Sequence, residues 1–170
     1  MVDLKKIVTN EGNSLSDLSF DQPILLVFLR HFECIFCQQA LQDLSGYKKD
    51  IDSIPLHLIF VHMGKPEIAE EFFGKYNLSG IQHISDPQCH VYNKFGLTKG
   101  NMSQLFGLQT WVKGFQAKKE GLKVSTKVIG DSLQMPGIFI IKEGSIKDRY
   151  IHKMASERPD YKALINCCSL

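Results

Sequence analysis

The sequence predicts an α/β fold with a mixed central sheet flanked by helices. Short apolar runs alternate with helically spaced segments through the first half of the chain. Near the C-terminal end, two further runs are separated by Glu143-Gly144, the turn chemistry of a hairpin. The 170 residues, 44% apolar and 22% charged, suffice for one sizeable core. Residues 1–170 are therefore read as a single domain.

The elements follow in order. "PILLVFLRHF" (23–32) is a short apolar run opened by proline and lacking helical spacing, which makes it a buried strand. From Cys34 the period changes: Phe36, Cys37, Ala40, Leu41 and Leu44 recur at three- and four-residue steps, one face of a helix ending near Tyr47. "PLHLIFVHM" (55–63) is a second buried strand. "KPEIAEEFFGKYNL" has proline and glutamate in its first turn, then Ile68, Glu71, Phe72 and Tyr76 along a helix. "HISD" is a short strand, "PQCHVYNKFGL" a helix opened by Pro87, and "RPDYKALINCC" a closing helix. The alternation implies parallel pairing with a right-handed crossover, whereas the hairpin implies antiparallel pairing. The strand before Cys34 should thus be internal, flanked by the strand at 56–62 and the hairpin at 137–151.

Residues 99–131 break this rhythm. Leu105, Leu108, Trp111, Val112 and Phe115 are helically spaced and predict an inserted amphipathic helix. Lys113, Lys118, Lys119, Lys123 and Lys127 read as its solvated face, since no exposed aromatics interleave with them as in nucleic-acid binders.

Composition narrows the function classes. A formal charge of +2 gives no reason to expect nucleic acid or acidic lipid as a partner. No stretch approaches the roughly 18 unbroken apolar residues of a membrane helix, and "MVDLKKIVTNEGNSLSDLSF" has no apolar signal core. A cytoplasmic location is expected. In that reducing compartment five cysteines are catalytic, metal-binding or buried rather than a disulfide framework. The final "CCSL" stands where a prenylation box would, but Ser169 suits the aliphatic position poorly and no polybasic run precedes it. A frayed end with Cys167 and Cys168 exposed is the expectation.

Cys34 and Cys37 form a C-x-x-C where strand meets helix. That spacing places Cys34 beside the unpaired N–H groups and positive dipole end of the helix, which favour thiolate. Cys37 follows one turn later on the same side, with Cys34 expected at the more exposed corner. An activated thiol with a resolving neighbour is what reversible thiol–disulfide chemistry requires. Arg30 and His31 are positioned in sequence to stabilise the thiolate, although His31 reads equally well as an ordinary polar residue at a strand end. Glu33 opposes it, handles protons, or is simply an exposed helix-entry carboxylate. Ile35 and Phe36 either dock a partner or pack inside. Two other readings of the pair exist: half of a zinc site completed by Cys89-His90 or Cys167-Cys168, and two small residues packed in a core. Cys89 is read as packed in its helix and inert.

"LLVFLRHFECIFCQQALQDL", "SDPQCHVYNKFGL", "GDSLQMPGIFIIKEGSIKDRYIHK" and "ERPDYKAL", in this order over about residues 22–165, resemble the peroxiredoxin-like branch of the alkyl hydroperoxide reductase/thiol-specific antioxidant (AhpC/TSA) family. The resemblance implies a thioredoxin-like fold, with 99–131 as an inserted helical segment. It also implies a cis Met135–Pro136 bond beside the cysteines, so Pro136 joins Cys34, Cys37 and Arg30 as candidate site residues. Two departures stand out. Typical peroxiredoxins carry P-x-x-x-T-x-x-C, but the corresponding positions before Cys34 are Val27 and His31, and those before Cys37 are Arg30 and Cys34. The Trp-Cys-Gly-Pro-Cys of thioredoxin is replaced by Glu-Cys-Ile-Phe-Cys.

The expected function is thiol-based oxidoreduction of a peroxide or disulfide through Cys34 and Cys37, restored by an external thiol reductant. It calls for no cofactor, metal, nucleic acid or membrane, and leaves the oligomeric state open. The alternative is a non-enzymatic thioredoxin-like module that binds partners through the insertion helix.

Overall fold

A computed structural model of the chain describes residues 2–122 and 130–168. Five strands form one sheet: β1 (Ile24–Phe28), β2 (His57–His62), β3 (His83–Ser85), β4 (Gly137–Lys142) and β5 (Ser145–Ile151), in the spatial order β3-β2-β1-β4-β5. β1 pairs parallel with β2 and antiparallel with β4, so it is internal and flanked as expected. Its five residues are all buried because both faces of the sheet are covered. With side chains alternating across the strand, Leu25 and Val27 pack with Leu41, Leu44, Phe73 and Ile165 on one side. Ile24, Leu26 and Phe28 pack with Leu15, Tyr92, Phe95 and Leu97 on the other.

Eight α-helices are described: α1 (Leu15–Asp21), α2 (Ile35–Gly46), α3 (Lys48–Asp52), α4 (Pro66–Lys75), α5 (His90–Lys94), α6 (Met102–Phe106), α7 (Leu108–Lys119) and α8 (Tyr161–Cys168). None of these is long and apolar enough to cross a membrane. The β4–β5 turn holds Glu143 at φ 53° and Gly144 at φ 70°, a pair of positive φ values suited to a two-residue hairpin.

Several expectations need correction. α1 was not anticipated, although Ser14 and Asp17 form a legible start signal: the Ser14 hydroxyl oxygen accepts from the Asp17 N–H. The helix expected from Pro87 begins at His90, because the buried carboxylate of Asp86 accepts from the N–H groups of His90, Val91 and Tyr92 and so fixes the start there. Cys89 is consequently not inside that helix but precedes it, at φ 57°. Among its described residues the insertion holds two helices rather than one. Asn101 and Gln104 cap α6 reciprocally, and the chain turns at Gly107 before α7. Val112 and Phe115, expected on its inner face, are exposed. Lys123 and Lys127 lie outside the described residues, as do Ser169 and Leu170. Cys167 is exposed, but Cys168 is buried against the α2 side of the sheet rather than frayed, and burial pushes its thiol up to about 11.

Candidate active site

Where β1 ends, the backbone continues along β2 for one further bond, the Leu29 N–H donating to Val61 O at 2.9 Å. The buried hydroxyl of Tyr92 donates its one proton to the Leu29 carbonyl and lies 3.1 Å from the Val61 carbonyl, bridging the two strand ends. The loop then turns outward. Phe32 anchors it by stacking on Phe72 at 4.9 Å and packing edge-on against Phe73 at 5.9 Å. Cys34 ends the loop as the N-cap residue of α2, its own N–H donating to His31 O at 3.0 Å.

Three of the expected residues converge here. Arg30 Nη1 donates to Cys34 Sγ at 3.2 Å. The Arg30 backbone N–H donates to Cys37 Sγ at 3.1 Å. Both cysteines are free thiols. Cys34 is not the exposed corner anticipated: it is 6% exposed and Cys37 4%. Both belong to the apolar cluster on the α2 side of the sheet, and Phe36, between them, packs towards Leu105, Met135 and Ala155.

The two sulfurs are electrostatically unlike. A hydrogen bond from the Cys37 thiol, followed by the charges of Arg30 and His31, holds the Cys34 thiol well below its ordinary range despite its burial. Burial and the proton that Cys37 shares with Cys34 push the Cys37 thiol well above the ordinary range. The anionic form is therefore favoured on Cys34 and the protonated form on Cys37. The helix N-terminus suggested in the sequence is present, but the proton of Cys37 and the guanidinium of Arg30 carry the asymmetry. His31 is half-buried and its pKa is lowered, chiefly by burial.

Pro136 lines a small cavity, about 20 Å³, together with Arg30, Phe36, Cys37, His152 and Tyr161. It is thus at the site, but the Met135–Pro136 bond is trans, not cis. Trans is the lower-energy form of the bond, and the backbone groups around it find partners in this form. Met135 N–H donates to Thr98 O at 3.2 Å, and the carbonyl of Gln134 accepts from Arg30 Nε at 3.2 Å.

Two site residues were missed. Gln134, 1% exposed, holds the segment that Arg30 grips. His152, 7% exposed, lines the cavity beside Cys37, and burial drives its pKa down to about 4. Both lie in the stretch "GDSLQMPGIFIIKEGSIKDRYIHK" that carries the resemblance, but far along the chain from the cysteines. Cys89 is buried and donates to Met63 Sδ at 3.3 Å, apart from the pair. Among the described residues, no three His, Cys, Asp or Glu side chains gather as a metal site.

Comparison with known proteins agrees with this fold. The family model described as "AhpC/TSA antioxidant enzyme" matches residues 43–156, a stretch that begins C-terminal to both cysteines. A prostamide/prostaglandin F synthase of Bos taurus is 26% identical over 163 residues, covering 95% of this chain and 80% of its own. The chloroplastic thioredoxin-like protein AAED1 of Arabidopsis thaliana is 24% identical over 178 residues, covering 98% of this chain and 71% of its own. Among solved structures, PrxQ of Xylella fastidiosa superposes with a TM-score of 0.66 at 12% identity, covering 97% of this chain and 89% of that one. Peroxidoxin BcpB of Mycobacterium tuberculosis gives 0.63 at 16% identity, covering 95% and 90%. These likenesses carry the thioredoxin fold.

Proposed function

The chain belongs to the AhpC/TSA antioxidant enzyme family, and we propose that it reduces small hydroperoxides with Cys34 as nucleophile and Cys37 as resolving thiol. The observation that carries this reading is the contact between Arg30 Nη1 and Cys34 Sγ, at 3.2 Å, in a site where Cys37 supplies a second proton to the same sulfur. A buried guanidinium cannot give up its charge, so it favours the anionic state of the sulfur it touches.

The chemistry follows in two steps. The Cys34 thiolate attacks one oxygen of the peroxide, the O–O bond breaks, and the sulfur becomes a sulfenic acid while an alkoxide or hydroxide leaves and takes a proton from water. Arg30, donating towards the reacting sulfur, is suited to steady the charge that develops on the departing oxygen. The Cys37 sulfur then attacks the Cys34 sulfur; its proton and the sulfenic hydroxyl depart as water, and a disulfide remains. An external thiol of low potential must return two electrons to restore both thiols.

Burial favours peroxide over a protein disulfide as oxidant. Both sulfurs are enclosed and the adjoining cavity is small, which suits a reactant of a few atoms. Disulfide reduction is the second reading, favoured by the C-x-x-C spacing at the start of α2. One comparison tests both: peroxide consumption against reduction of insulin disulfides by the purified protein with a dithiol reductant. Peroxide should be consumed with paired loss and recovery of two thiols. Slow, equal oxidation of all five cysteines would end the proposal.

A further inference from the structure

Arg30 is 6% exposed, and a buried guanidinium needs every prong of its fork engaged. Nη1 meets Cys34 Sγ, Nε donates to Gln134 O at 3.2 Å, and Nη2 donates to Ser132 O. Among the described residues, no carboxylate forms an ion pair with Arg30. Two neutral carbonyls therefore hold the fork, and the sulfur is its anionic partner. The aim of Arg30 is only as well defined as the segment 132–134.

That segment is itself tied down by a single buried amide. Gln134 Nε2 lies within hydrogen-bonding distance of Leu97 O at 3.0 Å, Thr98 O at 3.3 Å and Met135 O at 3.3 Å. Backbone bonds run alongside: Met135 N–H to Thr98 O at 3.2 Å and Gly100 N–H to Leu133 O at 2.7 Å. Lys99 pairs with Asp131 at 2.7 Å on the outer side. Residues 97–100 and 131–135 are thereby buckled together, and the buckle closes over Arg30.

We propose that Gln134 is a positioning residue for the thiol chemistry: its side-chain amide locks the 132–135 segment so that the Ser132 and Gln134 carbonyls aim Arg30 at Cys34 Sγ. The Gln134 amide donates to backbone carbonyls rather than to either sulfur, and acts through Arg30. The inference rests on Cys34 being the reactive thiol, as proposed above, but not on the identity of the oxidant.

The test is a thiol titration of the reduced protein, read from thiolate absorbance and from the pH dependence of alkylation of Cys34. The charged and titratable groups facing Cys34 are Arg30, His31 and Cys37, with Glu33 adjacent in the chain and the Lys99–Asp131 pair beyond Arg30. Gln134→Leu removes the amide while leaving these groups unchanged. Loosening a charge-assisted hydrogen bond should cut the Cys34 thiolate fraction below its pKa, and the alkylation rate there, by about tenfold. The rate should recover at a pH above the shifted titration. A purely structural role predicts no such recovery. In an Arg30→Gln background the same substitution should add nothing, because the group it positions is gone. An unchanged titration in a folded Gln134→Leu protein overturns the proposal, as does full additivity with Arg30→Gln. If Gln134→Leu does not fold, Gln134→Asn, which keeps the amide one methylene shorter, must show a smaller shift in the same direction, and an unchanged titration there overturns it equally. Because no oxidant enters this measurement, a protein that fails to consume peroxide yet shows the shift refutes the peroxidase reading alone.

Discussion

Acid should weaken this fold well before its carboxylates titrate, and the cause is a pair of histidines in the core. His62 and His83 are each 1% exposed and bonded ring to ring at 2.8 Å, packed against Phe32 and Phe73. Among the described residues, none hydrogen-bonds to His62 Nδ1 or His83 Nε2 within normal geometry. Burial, and then His83, push the His62 pKa down from 6.5 to about 3. The folded state thus refuses a proton that the unfolded chain accepts below its pKa of about 6.5. More protons bound in the unfolded state means stability rises with pH and is lost as pH falls through 6.5 towards 3. At pH 5 an unfolded imidazole is nearly all charged while His62 is still neutral, which costs about 2 kcal/mol relative to pH 7. His152, lowered to about 4, adds a loss of similar size. Together these remove about 4 kcal/mol, a large share of the 5–15 kcal/mol typical of a domain. The Cys34 thiolate adds a slope of the same sign, so the comparison must be between proteins that share it. Urea unfolding at pH 7, 6 and 5 of the wild type and of His62→Phe isolates one ring: the variant should lose about 2 kcal/mol less across the interval. Equal losses in both proteins would refute the reasoning, and so would a wild type equally stable at pH 7 and 5.

The remaining predictions concern the site and its frame. Limited alkylation near neutral pH should modify Cys34 before Cys37, and mass mapping showing the reverse order would exchange their roles. Cys34→Ser should abolish the paired thiol loss, whereas Cys37→Ser should still react once and stop at a sulfenic acid trapped by dimedone; both variants should retain the far-UV spectrum of the wild type. Tyr92→Phe leaves the Leu29 carbonyl without its hydroxyl partner and should destabilise by about 1–3 kcal/mol in urea. Gly100→Ala should destabilise by about 1–3 kcal/mol and slow the thiol reaction, because its new methyl meets Met135 Sδ at 2.7 Å and Leu105 Cγ at 3.3 Å.

What the sequence revealed and what it hid have physical causes. β1 was legible because a strand buried on both faces must be apolar at every position, and α2 because its inner face repeats at helical spacing. Arg30, Cys34 and Cys37 were legible because they lie within one strand–helix junction, so local geometry brings them together. Gln134 and His152 were not, since their distance from the cysteines closes only when β4 pairs with β1. The insertion misled for a different reason. Its apolar spacing signals a helix without saying which side is covered, and Val112 and Phe115 remain in solvent. The bond before Pro136 was inferred from kinship rather than from any local feature. In this chain the Gln134 carbonyl is instead engaged by Arg30.

The missing peroxiredoxin frame becomes intelligible from the same contacts. A threonine three residues before Cys34 would stand at His31, and a proline seven before at Val27, which is inside β1 and paired with Phe60 and Ile138. A proline there would remove a backbone donor from a central strand. The frame is thus incompatible with a strand that runs this far towards the nucleophile. Activation has to come from groups reachable from the strand end, and Arg30 and the Cys37 proton are those groups. Placing the resolving thiol one turn along α2 has a further consequence. Cys37 already shares a proton with Cys34, so in the proposed mechanism the resolving thiol starts in contact with the sulfur it attacks. Under the mechanism proposed above, the C-x-x-C spacing and the loss of the usual frame are linked, since activation and resolution would both be handled within one strand–helix junction.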